Sequence, residues 1–335
     1  DRNNTPLAVS TPVTTLWLNP RQAIAAKLDV VALAKALKLS ASDLQRKIKR
    51  HREKSFIYLV RHMAPNDAEE VLAKDFAGVY SMTEYKRFYP EAEATAHMLG
   101  FTGKDDHGRE GLELAFDKKL AGVEGSKRVM KDLKGHRVQD VALLKPARPG
   151  QDVILSFDSR VQYSAYRELA RGVAEHNAVA GVLVSLDVDT GEVLAMASVP
   201  SFNPNNRSTL DIDAVRNRAV TDMFEPGSTL KPFTLVAALE SGKFTTSSHF
   251  DTSPGTYRVI NKVVRDHSNY GVIDMQTVLT KSSNVATAQI AMALPRDTLP
   301  LLHQHLGFGS TTGSGFPGES AGILQPPNRW NPVEV

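Results

Sequence analysis

The sequence predicts an α+β protein of two domains, and three observations carry that expectation. Segments of strand composition and segments of helical apolar spacing are interleaved from end to end. A length of 335 residues is enough for two separate cores. One Pro/Gly-rich break, K-P-A-R-P-G-Q-D at 145–152, separates two stretches of different texture, which sets the expected domains at 1–150 and 151–335.

Residues 1–150 read as short mixed α/β elements. A-V-S-T-P-V-T-T-L-W-L (8–18) and F-I-Y-L-V (56–60) are rich in β-branched and aromatic residues, as strands are. Apolar residues at helical spacing predict a long helix over 21–39 and shorter ones over 67–74, 91–99 and 111–121.

Past the break, V-I-L-S-F (153–157) reads as a strand, and Asp158 or Ser159 can cap a helix over 160–176. G-V-L-V-S-L-D (181–187) and V-L-A-M-A-S (193–198) form an expected hairpin whose turn needs Gly191 at positive φ. The first of these strands is apolar nearly throughout, so both of its faces are expected to be covered. Helical spacing then runs from Pro226-Gly227 through Phe233, Val236 and Leu239 to a stop at Gly242. Further helices are expected over 274–281, 284–294 and 299–307, followed by a Gly/Pro-rich loop from Ser310.

Composition excludes several functions. There is no cysteine, which removes disulfides and thiolate catalysis. No apolar run approaches the ~18 residues of a membrane span. The net charge of +3 is spread along the chain, and the one basic cluster, K-I-K-R-H-R-E-K (47–54), reads as a solvated helix face and not as a nucleic-acid surface. His303 and His305 are two apart on an expected helix and point to different faces, so they form no metal pair. Asp266-His267 has no serine in triad-type context and reads as surface polar residues.

The stretch F-E-P-G-S-T-L-K-P-F (224–233) carries chemistry. Ser228 and Lys231 are three apart, so a helix places both on one face. Ser228 falls in the expected first helical turn, where free N–H groups favour a developing oxyanion. A serine hydroxyl needs a base to take its proton, and a lysine with a burial-lowered pKa can serve. By itself S-x-x-K is a chance-level pattern, and a capping serine followed by a solvent lysine is then the better reading. The second element is K-S-S-N (281–284), at a junction between two expected helices that can present Ser282 and Asn284 together. Ser282 is placed to relay a proton between Lys231 and a leaving nitrogen, and the Asn284 carboxamide to hold a peptide amide.

S-x-x-K followed some fifty residues later by S-x-N is the pattern of the penicilloyl-serine transferases. With D-R-N-N-T-P-L-A-V-S-T-P-V, K-R-F-Y-P-E-A-E-A-T-A-H-M-L-G-F (86–101), G-R-E-G-L-E-L-A-F-D-K-K-L-A-G (108–122), T-G-E-V-L-A-M-A, P-S-F-N-P-N-N and R-N-R-A-V-T-D, the chain resembles the division-type class B penicillin-binding proteins of Gram-negative bacteria. The resemblance implies a non-catalytic pedestal (1–150) used for dimerisation or partner docking. After it comes the first part of a penicillin-binding/β-lactamase-like transpeptidase domain (151–335), an antiparallel sheet flanked by helices.

It further implies that Ser228 is the acylated nucleophile, Lys231 the general base, and Ser282 and Asn284 the second motif of a septal D,D-transpeptidase. The implied substrates are peptidoglycan stem peptides ending in D-Ala-D-Ala, with β-lactams as mimics, and no metal or organic cofactor is implied. The implied setting is the periplasmic face of the inner membrane, with an anchor upstream and a septal glycan polymerase and other division proteins as partners.

The third motif of that family, K-T-G or K-S-G, is nowhere in the sequence; S-T-T-G at 310–313 lacks the cation. The resemblance therefore implies the first two-thirds of a longer enzyme. Two other readings stay open at this level. One is a β-lactamase or D,D-carboxypeptidase of the same superfamily, against which stand the extra pedestal and S-S-N in place of S-D-N. The other is a division scaffold in which catalysis is lost.

Overall fold

The computed structural model describes residues 1–123, 125–131, 137–146, 148–208 and 210–330, so position 147 of the Pro/Gly break and 331–335 of the expected C-terminal loop lie outside the described residues. Packing divides the chain into two compact units, Asp1–Ala219 and Val220–Val335.

In the first unit, β1 (Val9–Leu18) lies between β2 (Ile57–Met63) and β3 (Val79–Phe88), antiparallel to both. Helices α1 (Pro20–Ala25), α2 (Val30–Ala36), α3 (Ala41–Arg50) and α4 (Pro65–Leu72) bury Ala23, Leu33, Leu44, Ile48 and Val71 in one cluster with Leu16, Leu18, Ile57 and Leu59. Each large side chain of that cluster contributes about 1.5–3 kcal/mol. The helix expected over 21–39 is thus two helices. Lys27 turns to φ 51°, and the Asp29 carboxylate restarts the helix by accepting Val31 N–H and Ala32 N–H at 3.0 and 2.9 Å. Such a cap is worth about 1 kcal/mol and is invisible to apolar spacing. β3 has no counterpart among the expected elements. It mixes charged and aromatic residues, and its unbroken pairing with β1, from Val9↔Phe88 to Leu18↔Val79, holds it in place.

The helices expected over 91–99 and 111–121 are shorter pieces: a 3₁₀ turn at Ala92–Ala94, α5 (Ala96–Leu99), α6 (Gly111–Ala115) and α7 (Asp117–Leu120). An antiparallel pair, β4 (Ser126–Lys131) and β5 (Arg137–Lys145), follows. V-I-L-S-F at 153–157, expected as a strand, is corrected to a segment that joins no ladder among the described residues. It ends beside β7 (Val193–Val199) through Ser156 Oγ donating to Val193 O and Asp158 N–H to Leu194 O.

Asp158 caps α8 (Ser159–Glu175), and β6 (Gly181–Leu186) pairs with β7 through a turn in which Gly191 has φ 74°. Helix α8 packs against this pair. A Cβ at Gly181 would come within 2.7 Å of Val173 Cγ2 and 2.9 Å of Leu169 Cδ1, so any larger residue would force these α8 side chains to shift. The expectation that both faces of β6 are buried is corrected: Val182, Val184 and Leu186 remain 41%, 45% and 54% exposed. The reason is that α8 crosses one side of β6 alone, and β7 is its one ladder partner among the described residues.

The N-P-N-N turn reaches back across the first unit. Asn205 accepts Tyr89 N–H at 3.0 Å and donates to Tyr89 O at 2.9 Å, while Asn203 donates to the Glu93 carboxylate at 2.9 Å. Beyond it, the His97 ring bonds the carbonyl of Ala214 in α9 (Ile212–Val215), and Asn217 donates to His97 O. These clasps keep 151–219 with the preceding residues; α10 (Arg218–Thr221) spans the division.

The second unit holds the 3₁₀ turn Gly227–Leu230, α11 (Lys231–Glu240), β8 (His249–Asp251), β9 (Thr256–Val259), β10 (Lys262–Arg265), β11 (Val272–Asp274), α12 (Met275–Thr280), α13 (Asn284–Ala293) and α14 (Thr298–His305). The strands pair as two antiparallel ribbons, β8 with β11 and β9 with β10. Leu235 and Ala238 of α11 meet Val278 of α12, Ala286 and Ile290 of α13 and Leu299 of α14 in one core. α12 starts one residue later than expected because Asp274 is its cap, accepting Thr277 N–H at 2.8 Å.

Candidate active site

Ser228 lies in the 3₁₀ turn, not in the first turn of an α-helix as its spacing suggests. The cause is Pro232. In an α-helix the Ser228 carbonyl would accept from the N–H four residues on, and proline has none. Lys231 N–H takes that carbonyl instead, tightening the turn before α11 begins. Ser228 is exposed, and its side chain makes no hydrogen bond among the described residues.

Lys231 is the first residue of α11 and is only 8% exposed. Its amine donates to Ser282 O at 2.6 Å, Ser282 Oγ at 2.9 Å and Asn284 Oδ1 at 2.6 Å. Burial lowers its pKa from the ordinary 10.5, against the opposing pull of the Asp266 charge. Three of the four residues expected in the site thus meet directly; Ser228 stands one turn away along the chain, with no bond to the amine.

The Ser282–Asn284 loop is built from two helix ends. Ser282 N–H bonds Leu279 O and Ser283 N–H bonds Val278 O, the pair that closes a helix through a left-handed residue, and Ser282 has φ 52°. Ser283 then caps α13, its hydroxyl accepting Ala286 N–H at 3.0 Å. Side chains of residues 282 and 284 are left facing Lys231.

Asp266 organises this loop, which corrects its reading as a surface polar residue. Its carboxylate accepts Ser283 Oγ at 2.7 Å, Asn284 N–H at 2.5 Å and Val285 N–H at 3.0 Å. A negative charge on free N–H groups at the start of α13 is favourable on both hydrogen-bond and dipole grounds. Asn284 Nδ2 donates to Arg265 O at 2.8 Å, so both ends of its carboxamide are engaged. The signal for Asp266 in the sequence was faint: an acid at the end of a short β-rich run, seventeen residues before its partner. His267 is exposed. His303 is buried, with Nε2 unpartnered among the described residues, and His305 is exposed.

A serine at the mouth of a helix whose buried lysine is caged by a Ser-x-Asn helix junction, in an α+β chain, is the arrangement expected of the penicillin-binding protein class. Two family models cover nearly the whole chain: the penicillin-binding protein dimerisation domain over residues 1–155 and the penicillin-binding protein transpeptidase domain over residues 181–334. The chain belongs to the penicillin-binding proteins that carry these two domains in this order.

Among curated relatives, it is 40% identical over 336 residues to a probable peptidoglycan D,D-transpeptidase PbpC of Pseudomonas aeruginosa, covering 99% of this chain and 59% of that protein. It is 39% identical over 339 residues to the peptidoglycan D,D-transpeptidase FtsI of Escherichia coli, covering 100% of this chain and 57% of that protein. The chain therefore spans less than two-thirds of the length of these relatives. Among solved structures, penicillin-binding protein 2 from a Helicobacter pylori complex with MreC superposes with a TM-score of 0.79 at 21% identity, over 99% of this chain and 69% of that one. A peptidoglycan synthetase of Bifidobacterium adolescentis gives 0.69 at 23% identity, over 98% of this chain and 65% of that one.

Proposed function

We propose that the chain is part of a serine D,D-transpeptidase that cross-links peptidoglycan stem peptides in septal wall synthesis and is acylated by β-lactams. The observation that carries this reading is the desolvated Lys231 amine held by Ser282 and Asn284 one turn from an exposed serine.

Ser228 Oγ attacks the carbonyl of the penultimate D-Ala while its proton passes to Lys231 in the neutral form that burial favours, one of the three donated hydrogen bonds having been given up with the departing proton. The tetrahedral intermediate collapses, the C–N bond breaks, and D-Ala leaves with a proton returned from Lys231 by way of Ser282 Oγ. The side-chain amine of a neighbouring stem then attacks the ester, forms the new amide and restores the Ser228 hydroxyl. The contact between Ser228 and Lys231 forms on substrate binding, as catalytic hydrogen bonds commonly tighten only in the complex.

In the full-length protein, residues 1–150 serve as the pedestal for dimerisation or docking of division proteins such as the septal glycan polymerase, and 151–335 open the transpeptidase domain. The relatives' names support the assignment to the wall of a dividing cell. The corresponding location is the periplasmic face of the inner membrane, with the anchor upstream; no described helix of this chain is itself long and apolar enough to cross a membrane.

The test is covalent labelling of the full-length protein by a fluorescent penicillin. A stable adduct in the wild type and none in Ser228→Ala supports the reading. Labelling that survives the substitution removes it, and rapid hydrolysis of the drug would make the protein a β-lactamase.

A further inference from the structure

The β9–β10 ribbon places an unpaired cationic strip beside the site. Cross-strand pairs Val263↔Arg258 and Arg265↔Thr256 put these four residues on one face. The opposite face, with Val259 at 5% exposure, packs on α13. Arg258, Val263 and Arg265 are all exposed, and among the described residues neither arginine forms an ion pair.

The strip is anchored to the chemistry. Arg265 O accepts from Asn284 Nδ2 at 2.8 Å, and Asn284 Oδ1 accepts from Lys231 at 2.6 Å, so two hydrogen bonds separate the Arg265 main chain from the catalytic amine. Asp266, the neighbouring acid, directs its carboxylate to Ser283, Asn284 and Val285 and, among the described residues, forms no ion pair with either arginine. From Arg265 the strip runs about 7 Å along β10 to Val263, with Arg258 directly across from Val263. An extended peptide covers that distance in about two residues.

We propose that Arg258 and Arg265 bind a carboxylate of the acyl-donor stem peptide, one or two residues ahead of the D-Ala-D-Ala end. This deepens the transpeptidase reading and rests on it. Guanidinium groups suit the task because they stay charged and pair with a carboxylate through two parallel N–H bonds. Stem peptides offer such groups on a γ-linked D-glutamate at position two and on a diamino acid at position three. The interaction would let the enzyme distinguish a carboxylate-bearing stem from an amidated one, whereas a β-lactam, which lacks the stem, would not reach the strip.

The experiment measures how soluble pentapeptides slow acylation of the full-length protein by fluorescent penicillin. Three peptides are compared: free carboxylates, amide at position two, and amide at position three. Acylation by penicillin alone reports whether Ser228 and Lys231 are intact in each variant. For the wild type, one of the two amidations is expected to weaken competition about fivefold, the scale of an exposed ion pair, and the position affected identifies the carboxylate. In Arg258→Gln/Arg265→Gln the free and amidated peptides should compete equally. Equal competition in the wild type, or an amide penalty undiminished in the double variant, overturns the proposal. Failure of penicillin to label wild-type Ser228 overturns the catalytic reading itself, and the strip with it.

Discussion

The Lys231 amine sits 2.6 Å from the carbonyl oxygen of Ser282 and 2.9 Å from its hydroxyl, and Ser282 offers both from a left-handed backbone with φ 52°. That position closes α12, where glycine is the favoured residue. A side chain there costs about 1–2 kcal/mol, and the fold retains it because the hydroxyl faces the amine. Ser282→Gly should therefore raise the melting temperature while slowing acylation by penicillin. Calorimetry together with acylation kinetics on one preparation checks it; a variant that is both less stable and fully active contradicts this account.

Lys231 makes a sharper case. Burial lowers its pKa below the ordinary 10.5, and the neutral amine is the form that accepts a proton. Acylation should rise with pH through that lowered pKa. Lys231→Arg keeps charge and hydrogen-bond donors but cannot deprotonate, so it should lose acylation by about 10²-fold or more, the scale of general-base catalysis. A pH–rate profile for the two proteins decides the matter.

Asp266 pulls the other way on the same amine, raising its pKa. Asp266→Asn keeps the shape while removing the charge, so the acylation profile should move to lower pH. Asp266→Ala, by contrast, leaves Asn284 N–H and Val285 N–H without their acceptor. It should cost about 1–3 kcal/mol of stability and disorder the loop. Comparing the pH midpoints and the melting temperatures of the two variants separates the electrostatic from the structural role.

Two buried histidines predict acid sensitivity. Burial pushes His97 and His303 below the ordinary 6.5, so each is held neutral when folded. Between 6.5 and their lower folded values the unfolded chain binds more protons, so stability is full above about pH 6.5 and falls as the pH drops toward the folded values. His303→Phe should flatten that loss, read from melting temperature against pH from about 7.5 down to about 5.5, roughly one pKa spread on either side of the ordinary value.

Asn205 predicts a local effect. Asn205→Ala removes both bonds to the main chain of Tyr89, which is 2% exposed, so the Tyr89 N–H loses its acceptor while its carbonyl keeps only the Ala92 N–H, at 3.1 Å. Amide hydrogen exchange over 86–101 should accelerate about tenfold or more, the equivalent of at least 1.4 kcal/mol of local stability. Unchanged protection there would mean that the clasp carries no stability.

The order of elements was legible in the sequence wherever apolar periodicity or a cap spoke clearly: β1, α8 with Asp158, the Gly191 turn, and α11 through α14 all lie close to where the residues place them. Ser228, Lys231, Ser282 and Asn284 were legible as a constellation, and three of them meet in space. What escaped depended on partners distant in the chain. β3 and the β8–β11 and β9–β10 ribbons are too short or too polar to show a period, and only pairing defines them. The exposed face of β6 escaped because an apolar run tells what a strand can bury, not what covers it. The 3₁₀ turn at Ser228 was in principle readable from Pro232, and Asp266 needed the fold before it could be seen as a partner of α13.

The clasps that tie Tyr89 to Asn205 and His97 to Asn217 join residues 116 and 120 positions apart. During synthesis, the strands and helices near the amino end must therefore wait for the arrival of a segment more than a hundred residues downstream before their last backbone groups are paired. A fragment cut at the Pro/Gly break would leave the Tyr89 N–H and the His97 ring and carbonyl without their partners, so residues 1–150 expressed alone should be a stickier, less durable object than that sequence boundary advertises.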